Sequence, residues 1–227
     1  MYKTTLAFWF LAFFRSTVAQ DNAISQLDSL LQGVETLSAD ITQLIIQVDG
    51  GVLEESDILL RVKRPNGFYW ETVSPFPQLL VNNGKTLLNY KPELEQVHIE
   101  HWNPEQSELS AQLLYGRTES LIDEYYVVAI NSEQGRSFEL KPKSADSLYD
   151  LITISFVNET LDLIYIRNNS GERTAWQFTD SKINIPMVDD LFEFSPPEGI
   201  EIINCLLYTS DAADEGLGVD LGGRRII

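Results

Sequence analysis

Alternation along the run Ile58 to Arg64 puts Ile58, Leu60, Val62 and Arg64 on one face of a strand and Leu59, Arg61 and Lys63 on the other. Arg64 therefore shares a face with three aliphatic side chains. A guanidinium directed into an apolar concavity is costly unless its N–H donors are satisfied, and those donors suit the carbonyls at the end of a helix or loop lying over that face. In the other reading Pro65 twists the strand and lets Arg64 reach solvent, and alternation alone leaves both open. The remaining polar residues offer little chemistry. His98 and His101 are three apart, which on a strand sends them to opposite faces, so no shared metal site is expected. The acidic pairs Glu54-Glu55, Asp123-Glu124 and Asp189-Asp190 read as solvated turn and helix-end residues. Neither a glycine-rich phosphate loop nor a nucleophile elbow occurs. The residues point to a binding protein without catalytic groups, metal or cofactor.

The elements that must position these residues are mostly strands. Asp21 to Val34 carries Ile24, Leu27, Leu30, Leu31 and Val34 near the period of an amphipathic helix, with Asn22 as a candidate cap. Strand-like runs follow at Ile41 to Val48, Ile58 to Arg64, Phe68 to Val73, Leu79 to Val81 and Thr86 to Tyr90, separated by turn chemistry such as Asp49-Gly50-Gly51 and Asn82-Asn83-Gly84-Lys85. Between Pro104 and Tyr125, Leu109, Leu113, Leu114, Leu121 and Ile122 sit at mixed helical spacing around Gly116, which reads as two short helices. Strands resume at Tyr126 to Asn131, Ser137 to Lys141, Leu151 to Val157, Leu161 to Asn168, Thr174 to Thr179 and Phe192 to Phe194. About ten short strands with about three short helices suggest one strongly curved antiparallel sheet, an incomplete β-barrel whose helices cover its concave side. Phe138, Leu140, Ile152, Ile154, Phe156, Trp176 and Phe178 alternate with polar neighbours and are candidates for the inner wall.

Both ends differ from this pattern. Lys3, the apolar run Leu6 to Phe14 and the small residues Thr17-Val18-Ala19 read as a secretory signal peptide over residues 1–19. The apolar run, ended by Arg15, falls short of the roughly 20 residues a membrane-spanning helix needs. From Cys205 onward the chain abandons strand patterning and resembles a translated sequencing-library adapter, the other reading being a natural disordered tail with Gly216, Gly218, Gly222 and Gly223. The expected domain is thus residues 20–204, with 205–227 a non-native tail. The one cysteine of the 227-residue chain lies in that tail, so the domain needs no disulfide and has no thiol nucleophile. The two ends carry equal numbers of basic and acidic residues, so the net charge of −18 belongs to the domain. A chain this acidic is repelled by nucleic acid and by anionic lipid headgroups.

At Lys63-Arg64-Pro65-Asn66 followed by Phe68 and Trp70, the chain resembles the LolA family of outer-membrane lipoprotein carriers. The resemblance continues at Asn83-Gly84-Lys85-Thr86-Leu87 with Tyr90, and at Phe192 to Gly199, FEFSPPEG, with order and spacing kept from the first helix through Thr42-Gln43 to Pro196-Pro197. It implies a periplasmic chaperone with a hydrophobic cavity that binds the acyl chains of lipoproteins. It also implies two partners: an inner-membrane ATP-driven exporter, LolCDE, that loads the carrier, and an outer-membrane acceptor, LolB, that receives the cargo. The Arg matching Arg64 would control the lid through hydrogen bonds to it. By the same comparison Phe68 and Trp70 would line the cavity beside Leu60 and Val62, Leu27 and Leu31 would form the inner stripe of the first helix, and Leu113 and Leu114 would belong to the lid. Phe138, Leu140, Ile154 and Trp176 would complete the wall. Ordinary core packing is the other reading for each of these apolar residues. One departure is visible: where family members often have a Pro before the apolar run of the lid, this chain has Ser110-Ala111-Gln112. The acceptor itself needs a Cys after its signal peptide, where this chain has Gln20. The protein is expected to act as a monomer. A periplasmic carrier of another lipid or glycolipid is the alternative, because an apolar cavity reads chain length and volume more than headgroup.

Overall fold

Short turns force successive strands to pair antiparallel with their neighbours, and the chain follows this rule twice. The computed structural model describes residues 20, 22–102, 113–116 and 123–204. The expected signal peptide, the tail after Asn204 and most of the segment between Pro104 and Tyr125 lie outside the described residues. The first meander is β1 (Thr36–Ile46), β2 (Val52–Lys63), β3 (Gly67–Ser74), β4 (Gln78–Asn82), β5 (Thr86–Lys91) and β6 (Gln96–His101). The second is β7 (Tyr125–Asn131), β8 (Arg136–Pro142), β9 (Tyr149–Val157), β10 (Thr160–Asn168) and β11 (Arg173–Ile183). β1 pairs with β11, and β12 (Glu201–Asn204) adds in parallel to β6. The result is a single 12-stranded sheet in the order β12-β6-β5-β4-β3-β2-β1-β11-β10-β9-β8-β7. β12 and β7 are its two edges, so the barrel stays open.

Register carries the inner face across the sheet. Ile41 sits between Ile58 and Phe178, Trp70 pairs with Leu60 and Leu80, and Ile154 pairs with Phe138 and Ile164. Buried residues on this face run from Phe68 of β3 to Tyr125 and Val127 of β7 and form one hydrophobic cluster. A helix about 10 Å across covers only two strands of a flat sheet, so the sheet must wrap around what covers it. Among the described residues the cover is helix α1, helical over 22–32, together with residues 113–116. Ala23, Leu27 and Leu31 recur every fourth residue and are buried in the cluster, with Ile24, Leu30 and Val34 flanking them. Asn184, just past β11, donates to Gly33 O at the helix end (2.9 Å) and accepts from Glu35 N (2.8 Å). It thereby fixes how α1 enters β1.

Three expectations change. One helix is described rather than about three; helical residues 113–114 and 123–124 are the described parts of the segment read as two short helices. Asn22 is itself helical and accepts from Gln26 Nε2 (2.9 Å) instead of capping. Phe192 to Phe194 is not a strand: Asp189–Phe192 is a 3₁₀ turn. The alternating burial there comes from Phe192 anchoring a strap that crosses the convex face, where Pro196 and Pro197 lack the N–H groups a ladder needs. Under this strap lies a second apolar group that includes Val81, Leu88, Val97 and Phe192. The Phe194 ring stands 5.3 Å from that of Tyr90.

The assignment of faces is testable. Phe138, fully buried and edge-to-face with Phe156 at 5.9 Å, should cost about 3–5 kcal/mol when changed to Ala. Val128→Ala, on the exposed face of β7, should stay within about 0.5 kcal/mol. Urea midpoints of the two variants check this.

Candidate functional site

The interior brings together the apolar residues expected to line the cavity, while Leu109, Leu121 and Ile122 lie outside the described residues. Leu27 and Leu31 of α1, Leu60 and Val62 of β2, Phe68 of β3, Leu113 and Leu114, Phe138 and Leu140 of β8 and Ile154 of β9 are buried in one cluster. Trp70 and Trp176 are partly buried against it. Phe68 stacks on Trp70 with centroids 6.2 Å apart and meets the Tyr115 ring at 5.8 Å, while Trp102 approaches that ring from another side at 5.7 Å. Residues 113–116 thus plug the aromatic part of the concave face with Leu113, Leu114 and Tyr115.

Polar side chains from three elements hold this plug. Arg64 follows the last residue of β2, and its backbone N–H continues the ladder to Glu35 O (2.9 Å), so its side chain keeps the inward direction of Val62. Arg64 Nη2 donates to Leu114 O at 3.2 Å. Of the two directions open to Arg64 in the sequence, the structure has it turned toward the plug. Burial pushes the guanidinium below its ordinary pKa, and its buried Nε finds no partner among the described residues. Gln32, at the end of α1, donates from Nε2 to Gly116 O at 2.8 Å. Asn82, the last residue of β4, donates from Nδ2 to the Tyr115 hydroxyl at 2.9 Å. Gly116 has φ +69 and lies so close to Arg64 that a Cβ there would overlap the guanidinium.

The turns around the plug brace one another. Gly84, with φ +90, packs against Asn66, so the β4–β5 turn leans on the Arg64-Pro65-Asn66 turn. The Phe192 ring leaves no room for a Cβ at Gly67. Glu193 accepts from Asn83 Nδ2 (3.3 Å), and Lys63 Nζ reaches Met187 O (2.9 Å) and Asp189 (2.5 Å). The three motif stretches noted in the sequence, around Lys63, Asn83 and Phe192, therefore meet at one corner. His98 and His101 lie elsewhere, on β6 opposite Asn89 and Thr86.

Gln32, Asn82, Tyr115 and Gly116 were not expected from the sequence to belong to the site. Gln32 sits at a helix end, and Asn82 opens an Asn-Asn-Gly turn whose chemistry already explains an Asn. Only Gly116, a lone glycine inside an apolar helical stretch, carried a local signal.

An open, curved sheet with an apolar interior under a helical cover defines a half-barrel, and donors from three elements converge on the short segment that covers its aromatic end. The chain belongs to the LolA family: the model of the outer membrane lipoprotein carrier protein LolA matches residues 32–195. An outer-membrane lipoprotein carrier protein of Hahella chejuensis is 36% identical over 191 residues, covering 83% of this chain and 91% of that protein. One of Chromohalobacter salexigens is 32% identical over 185 residues, with 82% and 88% covered. Among solved structures, an uncharacterized conserved protein from Thermus thermophilus superposes with a TM-score of 0.53 at 10% identity, over 81% of this chain and 98% of that one, which speaks to the fold alone.

Gly116→Ala should displace the Arg64 guanidinium and speed amide exchange at residues 113–116. Gly199→Ala is the control for strain alone, since Gly199 has φ +87 and nothing within 4 Å of a built Cβ. Hydrogen exchange should separate the two variants, with only the first loosening the plug.

Proposed function

We infer that the protein is a carrier that shields the acyl chains of outer-membrane lipoproteins while they travel between membranes. The observation that carries this reading is the plug: an apolar concave face covered at its aromatic end by residues 113–116, which accept hydrogen bonds from Gln32, Arg64 and Asn82. The names of the relatives favour lipoprotein over another lipid as the cargo. Among the described residues no helix is long and apolar enough to cross a membrane. The periplasm is the compartment that fits such a carrier, with the LolCDE exporter as the loading partner and LolB as the acceptor.

Energetics limit how cargo can sit. Each buried CH₂ of an acyl chain gains about 0.8 kcal/mol. Three long chains buried completely would exceed the roughly 18–21 kcal/mol at which non-covalent affinity saturates, and the cargo could not be released. Partial burial is required, with the closed form competing for the same apolar surface. Closing regains the bonds to residues 113–116, and these bonds help expel the cargo. A hydrogen bond from a charged donor contributes about 1.5–3 kcal/mol, so losing the one from Arg64 shifts the balance toward the loaded form by roughly ten- to a hundredfold.

Arg64→Leu is therefore expected to release a triacylated lipoprotein from inner-membrane vesicles as a soluble complex, as the wild type does. It should hand that cargo to acceptor-bearing vesicles on the order of tenfold more slowly. Transfer at the wild-type rate would remove Arg64 from the mechanism. Failure of the wild type to release lipoprotein, with binding of free lipid intact, would favour a carrier of another lipid.

A further inference from the structure

Asn82 and Ser56 are the buried polar side chains among the described residues. Ser56 lies toward the other end of β2 and bonds Glu54. Asn82 has no solvent exposure and faces the apolar interior, in register with Phe68 on one side and Leu87 on the other. Its Oδ1 accepts from Gly84 N at 2.7 Å, which fixes the orientation of the amide and aims Nδ2 inward at the Tyr115 hydroxyl. Tyr115 is 8% exposed, its ring filling the space between Phe68 and Trp102.

Tyr115 thus has an apolar body on aromatic rings and an oxygen at a buried donor. Whatever displaces it must match both features, because a buried N–H left without an acceptor is expensive. A bare hydrocarbon supplies the body only. An acyl ester or amide supplies the body and a carbonyl oxygen.

We propose that Asn82 is a switchable donor that bonds the Tyr115 hydroxyl in the closed protein and an ester or amide carbonyl of the acyl ligand in the loaded one. This rests on the carrier reading and deepens it. The pocket then distinguishes acylated ligands from hydrocarbons of the same length, and the carbonyl end of one chain is registered beside β4 while its tail runs along Phe68 and Trp70.

The test is a displacement titration with methyl palmitate and octadecane, equal in chain atoms, against a dansylated undecanoic acid reporter bound to the folded protein. The wild type should bind the ester about tenfold more tightly, the worth of one hydrogen bond. Asn82→Leu should bring that ratio near one. Tyr115→Phe keeps the ring and Asn82 but removes the closed-form acceptor, so it should raise both affinities by about tenfold with the ratio preserved. Should Asn82→Leu fail to fold, Tyr115→Phe decides alone: unchanged affinities mean that the Asn82–Tyr115 bond survives loading and overturn the proposal. Equal binding of ester and octadecane by the wild type, or a ratio that persists in Asn82→Leu, also overturns it and leaves the carrier standing. A wild type that binds neither probe nor reporter sinks both.

Discussion

A concave sheet face lined with Leu60, Val62, Phe68, Phe138, Leu140, Ile152 and Ile154 has to be covered by something apolar, because exposing it costs about 25 cal/mol for each Å². In a closed barrel the far wall would do this. Here the edges β7 and β12 do not pair, and among the described residues the cover comes from α1 and residues 113–116. Helix and plug differ in how they are held. α1 presents a continuous stripe of Ala23, Leu27 and Leu31 and runs directly into β1, with its end tied by Asn184. Residues 113–116 offer a short apolar patch, and donors reach them from α1, from the end of β2 and from β4. Bonds gathered on so short a segment reinforce one another, since breaking one strands buried polar groups that the others keep in place.

The bracing of that corner explains why residues far from the interior belong to the same device. The strap after β11 crosses the convex face, presses Phe192 on Gly67 and ties Glu193 to Asn83, while Lys63 reaches back to Met187 and Asp189. The turns carrying Arg64 and Asn82 are thereby fixed from behind. A guanidinium and an amide can meet their acceptors inside an apolar interior only if the backbone bearing them does not drift. Acidity fits the same picture. At −18 the protein is repelled by anionic membrane surfaces, which suits a carrier that holds lipid by enclosing it rather than by lying on a bilayer.

Much of this was legible in the sequence because strands bounded by Asn-Gly and Pro-Asn-Gly turns declare themselves. Alternation in β2, β8 and β9 assigned Leu60, Val62, Phe138, Leu140, Ile152 and Ile154 to one face, and all are buried together. Alternation could not settle Arg64, since Pro65 follows it directly; the ladder bond from its N–H to Glu35 is a long-range fact. The Phe192 stretch misled because an anchor on a strap and a residue in a strand alternate alike until a ladder partner is sought. Asn82 was hidden by its own turn: its Oδ1 does what an Asn before Asn-Gly ordinarily does, and only the fold brings Tyr115 to its Nδ2. Buried polar contacts between distant segments leave no periodic trace.

The central claim is that acyl chains take the place of the plug on the concave face. The most direct measurement is photo-crosslinking with a lipoprotein whose acyl chains carry a diazirine, followed by mapping of the labelled residues. Labelling at Phe68, Trp70, Phe138 and Ile154 is the expected result. Labelling confined to the convex side, at Val81, Leu88 or the exposed row Tyr126, Val128 and Ile130, would contradict it.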